Sequence, residues 1–265
     1  MPNYFRTVFH LLSFKYNIIA VKSNKDFSFP SKKYVSAMLK YKPDLIILTT
    51  PNNPTGKVIP NEDLIRILDN LPKKSIAVID RTLTNTKVEI STKRLLKRYK
   101  NKNIVILHSF SKNYGLSQER IGFAVTSNNK LADFLRQFVV LGLNVHAMKL
   151  AIDALKKPLL LKNKIEDIKK SHKMLTKFSK EFNITYYPSD SDYALLKLSK
   201  NINSLKLSKI MKKKGISLMG GHEFNKIQNI DKRCVRLYVG NPNRLRKFIK
   251  IFKSLQTKTT ASNLN

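Results

Sequence analysis

The chain has 265 residues, room for one large α/β domain and part of a second. Its 51 basic against 17 acidic residues leave a formal charge of +34, and a single cysteine excludes an internal disulfide and suits a reducing, cytoplasmic setting. The basic residues are 40 lysines and eleven arginines spread along nearly the whole length; that is a solvated surface, so loose polyanion binding at low salt is expected and a specific nucleic-acid partner is not.

The first 25 residues lack acidic groups and carry Arg6, His10 and Lys15 among apolar positions. Short apolar, β-branched runs then recur at Ile18–Val21, Leu45–Thr49, Ile76–Ile79, Ile104–Leu107 and Ile121–Val125. Between them, Asn61–Asn70, Thr92–Lys100 and Lys130–Leu141 space Leu, Ile and Phe at helical intervals with polar faces outward. Strands alternating with helices in this way predict an α/β fold with a mainly parallel sheet covered by helices. From His146 to about Glu181 the pattern is helical, with a break expected at Pro158. Strands at Ile184–Tyr187, Ala194–Leu198 and Val235–Val239, with helices at Leu205–Lys214 and Pro242–Leu255, predict a smaller α+β unit. The expected division is 1–150 as a major domain, 151–180 as a long connecting helix, 181–256 as a small α+β domain and 257–265 as a frayed polar tail. The five histidines show no metal-ligand spacing, so no metal is expected, and no apolar run approaches membrane-spanning length.

Three polar segments fall at predicted strand ends. Thr50-Pro51-Asn52-Asn53-Pro54-Thr55-Gly56 follows the Leu45–Thr49 strand, Asp80 closes Ile76–Ile79, and S-F-S-K-N-Y-G-L-S-Q-E-R-I-G, Ser109 to Gly122, follows Ile104–Leu107. In open parallel sheets the crevice beyond the carboxyl ends of the strands is where ligands sit, so these segments are expected to converge on one site.

Together the segments resemble the fold-type I, class I/II pyridoxal-phosphate aminotransferases, and the motif S-x-S-K-x-x-G-L-x-x-E-R-x-G carries most of the likeness. The resemblance implies a seven-stranded-type sheet, pyridoxal 5'-phosphate as cofactor, and an amino group moved between an amino acid and a 2-keto acid. It makes Lys112 the catalytic lysine that forms a Schiff base with the cofactor aldehyde, and it places Arg120 and Ser109 on the cofactor phosphate. Asp80 then keeps the pyridine nitrogen protonated, Asn53 bonds the ring hydroxyl, Tyr4 in Pro2-Asn3-Tyr4 stacks on the ring, and Arg236 in Val235-Arg236-Leu237-Tyr238-Val239-Gly240 grips the substrate carboxylate. The chemistry suits those residue types. A Schiff-base lysine must be partly desolvated to lose its proton, a guanidinium fork matches phosphate oxygens, and Gly115 and Gly122 would let the backbone pack closely.

The resemblance also implies a homodimer with small-molecule amino-acid and keto-acid substrates, no specific nucleic acid and no membrane. The chain is expected to begin at the Pro-x-Tyr element, without the Gly-rich turn that relatives place on the cofactor phosphate. Leu83 stands where relatives have a tyrosine, and the element Asp192-Tyr193-Ala194 departs from the Asn-bearing pattern of many relatives. Two alternatives stay open: a decarboxylase or lyase of the same fold, and an inactive homologue with a binding role.

Overall fold

The computed structural model describes residues 15–138, 142, 144–221, 223 and 230–262. Its first sheet comprises β1 (Leu45–Thr49), β2 (Ile76–Arg81), β3 (Asn103–Ser109) and β4 (Gly122–Thr126), in that spatial order. The first three strands are parallel and β4 returns antiparallel, with Thr49 opposite Asp80, Asp80 opposite Leu107 and Ser109 opposite Gly122. Parallel neighbours require crossovers, and helices α1 (Ser31–Tyr41), α2 (Asn61–Asp69) and α3 (Thr92–Arg98) lie in the stretches between the strands or just before β1. Ile46, Leu48, Ala77, Ile79, Ile104 and Ile106 are buried with Met38, Leu64, Ile67, Leu68 and Leu95 from these helices. Each such side chain contributes about 1.5–3 kcal/mol by leaving water.

Two expectations for this half need correction. Ile18–Val21 is not a strand: it makes no ladder, and Ile18 and Ile19 are exposed. A β-branched run becomes a strand only against a neighbour, and none lies beside it among the described residues. Helix α1 escaped the periodicity reading because it buries only Ser31 and Met38, too narrow a face to show a repeat. Four strands of the mainly parallel sheet are present among the described residues.

Helix α4 (Phe110–Asn113) lies between β3 and β4, and α5 (Asn129–Arg136) follows β4. The helical stretch expected from His146 to about Glu181 is two helices, α6 (Val145–Leu155) and α7 (Pro158–Glu181), which meet at the expected break. Pro158 has no N–H to give a helix running through it, so it opens α7 as the first-turn proline instead. The second sheet is antiparallel throughout, with β5 (Thr185–Tyr187), β6 (Tyr193–Lys197), β8 (Cys234–Tyr238) and β7 (Leu218–Gly220) in spatial order. It packs on α7, α8 (Ser204–Lys213) and α9 (Pro242–Ser262), with Phe178, Phe248 and Phe252 fully buried at the centre. The backbone of α9 runs to Ser262, seven residues beyond the predicted end at Leu255 and into the supposed tail. Polarity alone does not stop a helix, and no Gly or Pro follows Pro242.

The two sheets are joined through residues 189–192. Gly56 O accepts from Asp190 N at 3.2 Å and Ser189 Oγ at 3.3 Å, Thr86 N donates to Asp190 O at 2.8 Å, and Asn85 bridges Ser191. From behind, His172 Nε2 donates to Ser191 O at 2.7 Å and its Nδ1 accepts from Tyr186 Oη at 2.7 Å. Both ring nitrogens are thus committed in the neutral form, and burial lowers the imidazole pKa in keeping with it. Gly56 has φ +67°, and a Cβ there would fall on the Ser189 hydroxyl and 2.7 Å from Tyr193 O. Gly56→Ala is expected to cost about 2–5 kcal/mol, the sum of left-handed-backbone strain and overpacking, read as a lower denaturant midpoint at unchanged slope.

Candidate active site

The carboxyl ends of β1, β2 and β3 each deliver a polar group to one cleft of about 490 Å³. Beyond β1 the loop folds on itself: Gly56 N donates to Asn52 O at 2.7 Å, Asn52 N to Lys57 O at 2.8 Å, and Thr55 Oγ1 to Asn52 Oδ1 at 2.9 Å. The Thr50–Pro51 and Asn53–Pro54 bonds are cis, and Asn53 faces the cleft. Asp80 ends β2 with Oδ1 held by Thr82 N at 2.9 Å and Thr82 Oγ1 at 2.6 Å. Both bonds fall on one oxygen, which orients the carboxylate and leaves Oδ2 for a ligand's donor.

At the end of β3, Ser109 Oγ accepts from Ser111 N at 3.1 Å and so caps α4, the four-residue helix that carries Lys112. Phe110 anchors that helix by packing on Ile121, Ala147 and Ala151. The chain comes back through Arg120, a non-glycine residue at φ +52° whose Nη1 donates to Ser117 O at 3.0 Å. A left-handed arginine costs about 1–3 kcal/mol, and such strain concentrates at functional sites. Gly122 then passes so close to β3 that a Cβ would lie 2.6 Å from His108 O. Gly115 differs from the expectation of close packing: a Cβ there meets nothing within 4 Å, and its constraint is the positive φ of 75°.

The second sheet closes the cleft from the other side. Arg236 on β8 donates from Nη1 to Asn53 Oδ1 at 2.7 Å, and its guanidinium carbon lies 4.3 Å from the centre of the Tyr193 ring. Met219, opposite Arg236 in the ladder, lines the same wall. The Lys112 Nζ sits 5.6 Å from the Tyr193 ring centre and 5.9 Å from that of Tyr238.

Asn53, Asp80, Ser109, Lys112, Arg120 and Arg236 therefore all line one cleft, whereas Tyr4 lies outside the described residues. Leu83 lines it too and offers only apolar surface. A groove of about 530 Å³ elsewhere, bounded by Asp167, Lys170, Met174 and Arg246, holds none of these groups. Sequence reasoning missed Thr82, Ser111 and Tyr238, and it marked Tyr193 only as a departure from the relatives' pattern. Strand alternation could have found Tyr238, because it shares a face with Arg236 two residues away; Tyr193 needed the β6–β8 register, which sets it opposite Tyr238.

Asp192 was also missed as a site neighbour. It is fully buried, Oδ1 accepts from Ser191 Oγ at 3.0 Å, and Oδ2 has no hydrogen-bond partner among the described residues. Burial pushes its carboxyl pKa up, against the opposing pull of the Ser191 bond and the charges of Lys164 and Lys112. A carboxyl raised in the folded state stabilises the fold only while protonated, so stability is lost as pH rises from its ordinary 3.8 through the higher folded value. Asp192→Asn is expected to unfold at higher denaturant than the parent at pH 7. The gap should close as pH approaches 3.8; a constant gap would contradict the assignment.

Comparison with known proteins gives one family and one fold. The family model for aminotransferase class I and II matches residues 3–252. A histidinol-phosphate aminotransferase of Caldanaerobacter subterraneus subsp. tengcongensis is 31% identical over 183 residues, 68% of this chain and 50% of that protein. The crystal structure of the histidinol-phosphate aminotransferase from Clostridium acetobutylicum superposes with a TM-score of 0.84 at 20% identity, covering 97% of this chain and 76% of that one. The Sinorhizobium meliloti histidinol-phosphate aminotransferase in complex with pyridoxal-5'-phosphate gives 0.78 at 20% identity, covering 96% and 69%. The chain spans about half the length of the relatives it matches in sequence.

Proposed function

Because the chain belongs to the aminotransferase class I and II family, we propose that it acts as a pyridoxal-phosphate-dependent aminotransferase, moving an amino group between an amino compound and a 2-keto acid. One observation carries the reading: an amine, a carboxylate and two guanidinium groups, from Lys112, Asp80, Arg120 and Arg236, line one cleft although they come from separate elements. That donor set fits the cofactor. Its phosphate suits the hydroxyls of Ser109 and Ser111 with the Arg120 fork, its ring nitrogen suits the carboxylate that Thr82 orients, and its aldehyde suits a primary amine.

When bound, pyridoxal phosphate supplies an aldehyde that takes up the substrate nitrogen and a ring that draws electron density from the adjacent carbon. The chain does the rest. Lys112 would hold the cofactor through its amine, and the same Nζ, when free, would be the base that takes the proton from the substrate carbon and delivers it to the carbon on the far side of the substrate nitrogen. Asp80 holds a proton at the ring nitrogen, which its Thr82-fixed geometry keeps in register. Asn53 spends Oδ1 on Arg236 and keeps its amide N–H groups for the ring hydroxyl, so one residue ties cofactor position to substrate grip. Arg236 receives the anionic end of the substrate, and Tyr193 stacked against it limits how far the guanidinium can swing.

The names of the relatives sharpen the donor. Histidinol phosphate carries a phosphate and no carboxylate, and in that reading Arg236 meets the donor's phosphate in one half-reaction and the acceptor's carboxylate in the other. The cleft lining holds Lys112, Arg120 and Arg236 against Asp80 alone, a charge balance that suits a doubly charged anion. Homodimer formation belongs to the same proposal, supported by exposed apolar side chains on and around α5 to α7, among them Phe138, Val145, Leu155 and Leu159. So does a cytoplasmic setting, supported by the lone, buried Cys234. Among the described residues no helix is long and apolar enough to cross a membrane.

Lys112→Ala is expected to abolish both turnover and the visible absorbance that develops when the parent chain is mixed with pyridoxal phosphate; retention of both would sink the assignment. Arg236→Ala should lower kcat/KM for the amino donor about 10- to 100-fold, the worth of a charged hydrogen bond, while that absorbance stays. Release of a keto or aldehyde product without carbon dioxide separates transamination from decarboxylation.

A further inference from the structure

The wall behind Lys112 contains a cation that the mechanism above does not use. Lys164, on α7, donates from Nζ to the hydroxyl of Tyr238 and, at 3.3 Å, to the carbonyl of Gly240. Tyr238 closes β8 and lies against Gly240, where a Cβ would meet the Tyr238 hydroxyl and the Lys164 ammonium. With its hydroxyl tied toward α7, Tyr238 turns its ring toward Lys112, 5.9 Å from Nζ. Tyr193, its ladder partner, meets it edge to face at 5.8 Å and stands 5.6 Å from the same Nζ. The Lys112 ammonium thus lies beside two rings held at a fixed angle to one another.

We propose that Lys164 and Tyr238 are positioning residues for Lys112: the Lys164 ammonium pins the Tyr238 hydroxyl over Gly240, so that the Tyr238 and Tyr193 rings form a cradle that holds the Lys112 side chain at the floor of the cleft. A lysine has four rotatable side-chain bonds and loses up to about 2 kcal/mol of rotamer freedom when fixed; two π faces at cation distance favour one placement of the head group without removing its ability to react. Lys164 acts through Tyr238 and touches no reacting atom.

The inference rests on Lys112 being the working amine, and the test keeps the two apart. Protein labelled with ¹³C at lysine Cε gives a signal for Lys112, identified by its loss in Lys112→Arg, and neighbouring aromatic rings should displace it upfield from the bulk of the lysines. Tyr238→Leu is expected to return it toward the bulk. Lys164→Met and Tyr238→Phe, which keeps the ring but loses the bond, should each move it part of the way by the same amount. The double variant should move it no further than either single one, because both break one link. With cofactor and substrates, Lys164→Met should lower kcat about 10- to 100-fold with KM little changed, as for a misplaced reacting group, and Lys164→Arg should recover most of it. A Lys112 signal unmoved in Lys164→Met, or shifts that add in the double variant, overturns the proposal. Absence of cofactor absorbance in the parent chain would count against the aminotransferase reading alone, since the cradle is read from the ¹³C signal without cofactor.

Discussion

The cleft depends on one junction, the seating of residues 189–192 between the turn at Gly56 and the strand-end segment at Asn85 and Thr86. Asp80, Ser109 and Lys112 belong to the first sheet, and Tyr193, Arg236 and Tyr238 to the second. This junction ties the two sets together. It combines backbone hydrogen bonds with side-chain bonds from Ser189 and Thr86 and the Lys87–Asp190 ion pair, and it is buttressed by His172 and Tyr186 from behind. The Arg236 to Asn53 bond, spanning 183 positions of sequence, is the direct product of that seating.

Charge in this molecule works at two scales. Most of the 40 lysines are spaced over the surface, where each is hydrated and screened and sets no geometry. A few cations are held instead by protein groups, and their surroundings decide what they do. Lys164 is taken up by a tyrosine hydroxyl and a carbonyl. Arg81, next to Asp80 in β2, points to the opposite face of the sheet, where it is buried, donates to Ile90 O at 2.8 Å and lies 3.7 Å from Glu89. Its burial lowers the guanidinium pKa, with Glu89 opposing that shift. Strand alternation thus separates the Asp80 carboxylate, facing the cleft, from a buried cation one residue away.

Much of the site was legible because the relevant signals are local. The asparagine-proline-glycine turn after β1, an aspartate closing β2 and the serine-lysine segment after β3 each sit where a parallel strand ends, and all three reach the cleft. What escaped reading was weakly patterned or relational. Helix α1 buries too narrow a face to show a period, and β7 is three residues long. Ile18–Val21 has the composition of a strand but forms no strand. Thr82 was given no role, whereas the structure shows it orienting Asp80.

The sequence by itself determined the alternation of strands and helices from Leu45 to Val125, the break at Pro158, and which polar residues stand at the strand ends, because propensity, periodicity and turn chemistry act over a few neighbouring residues. Tertiary structure alone decided that Tyr193 and Tyr238 flank Lys112, that Asp192 is buried with an unshared oxygen, and that Lys164 reaches a tyrosine 74 positions away. Those contacts follow from the β6–β8 register and the packing of α7 on the second sheet. Register and packing are properties of surfaces meeting in space, and no local pattern encodes them.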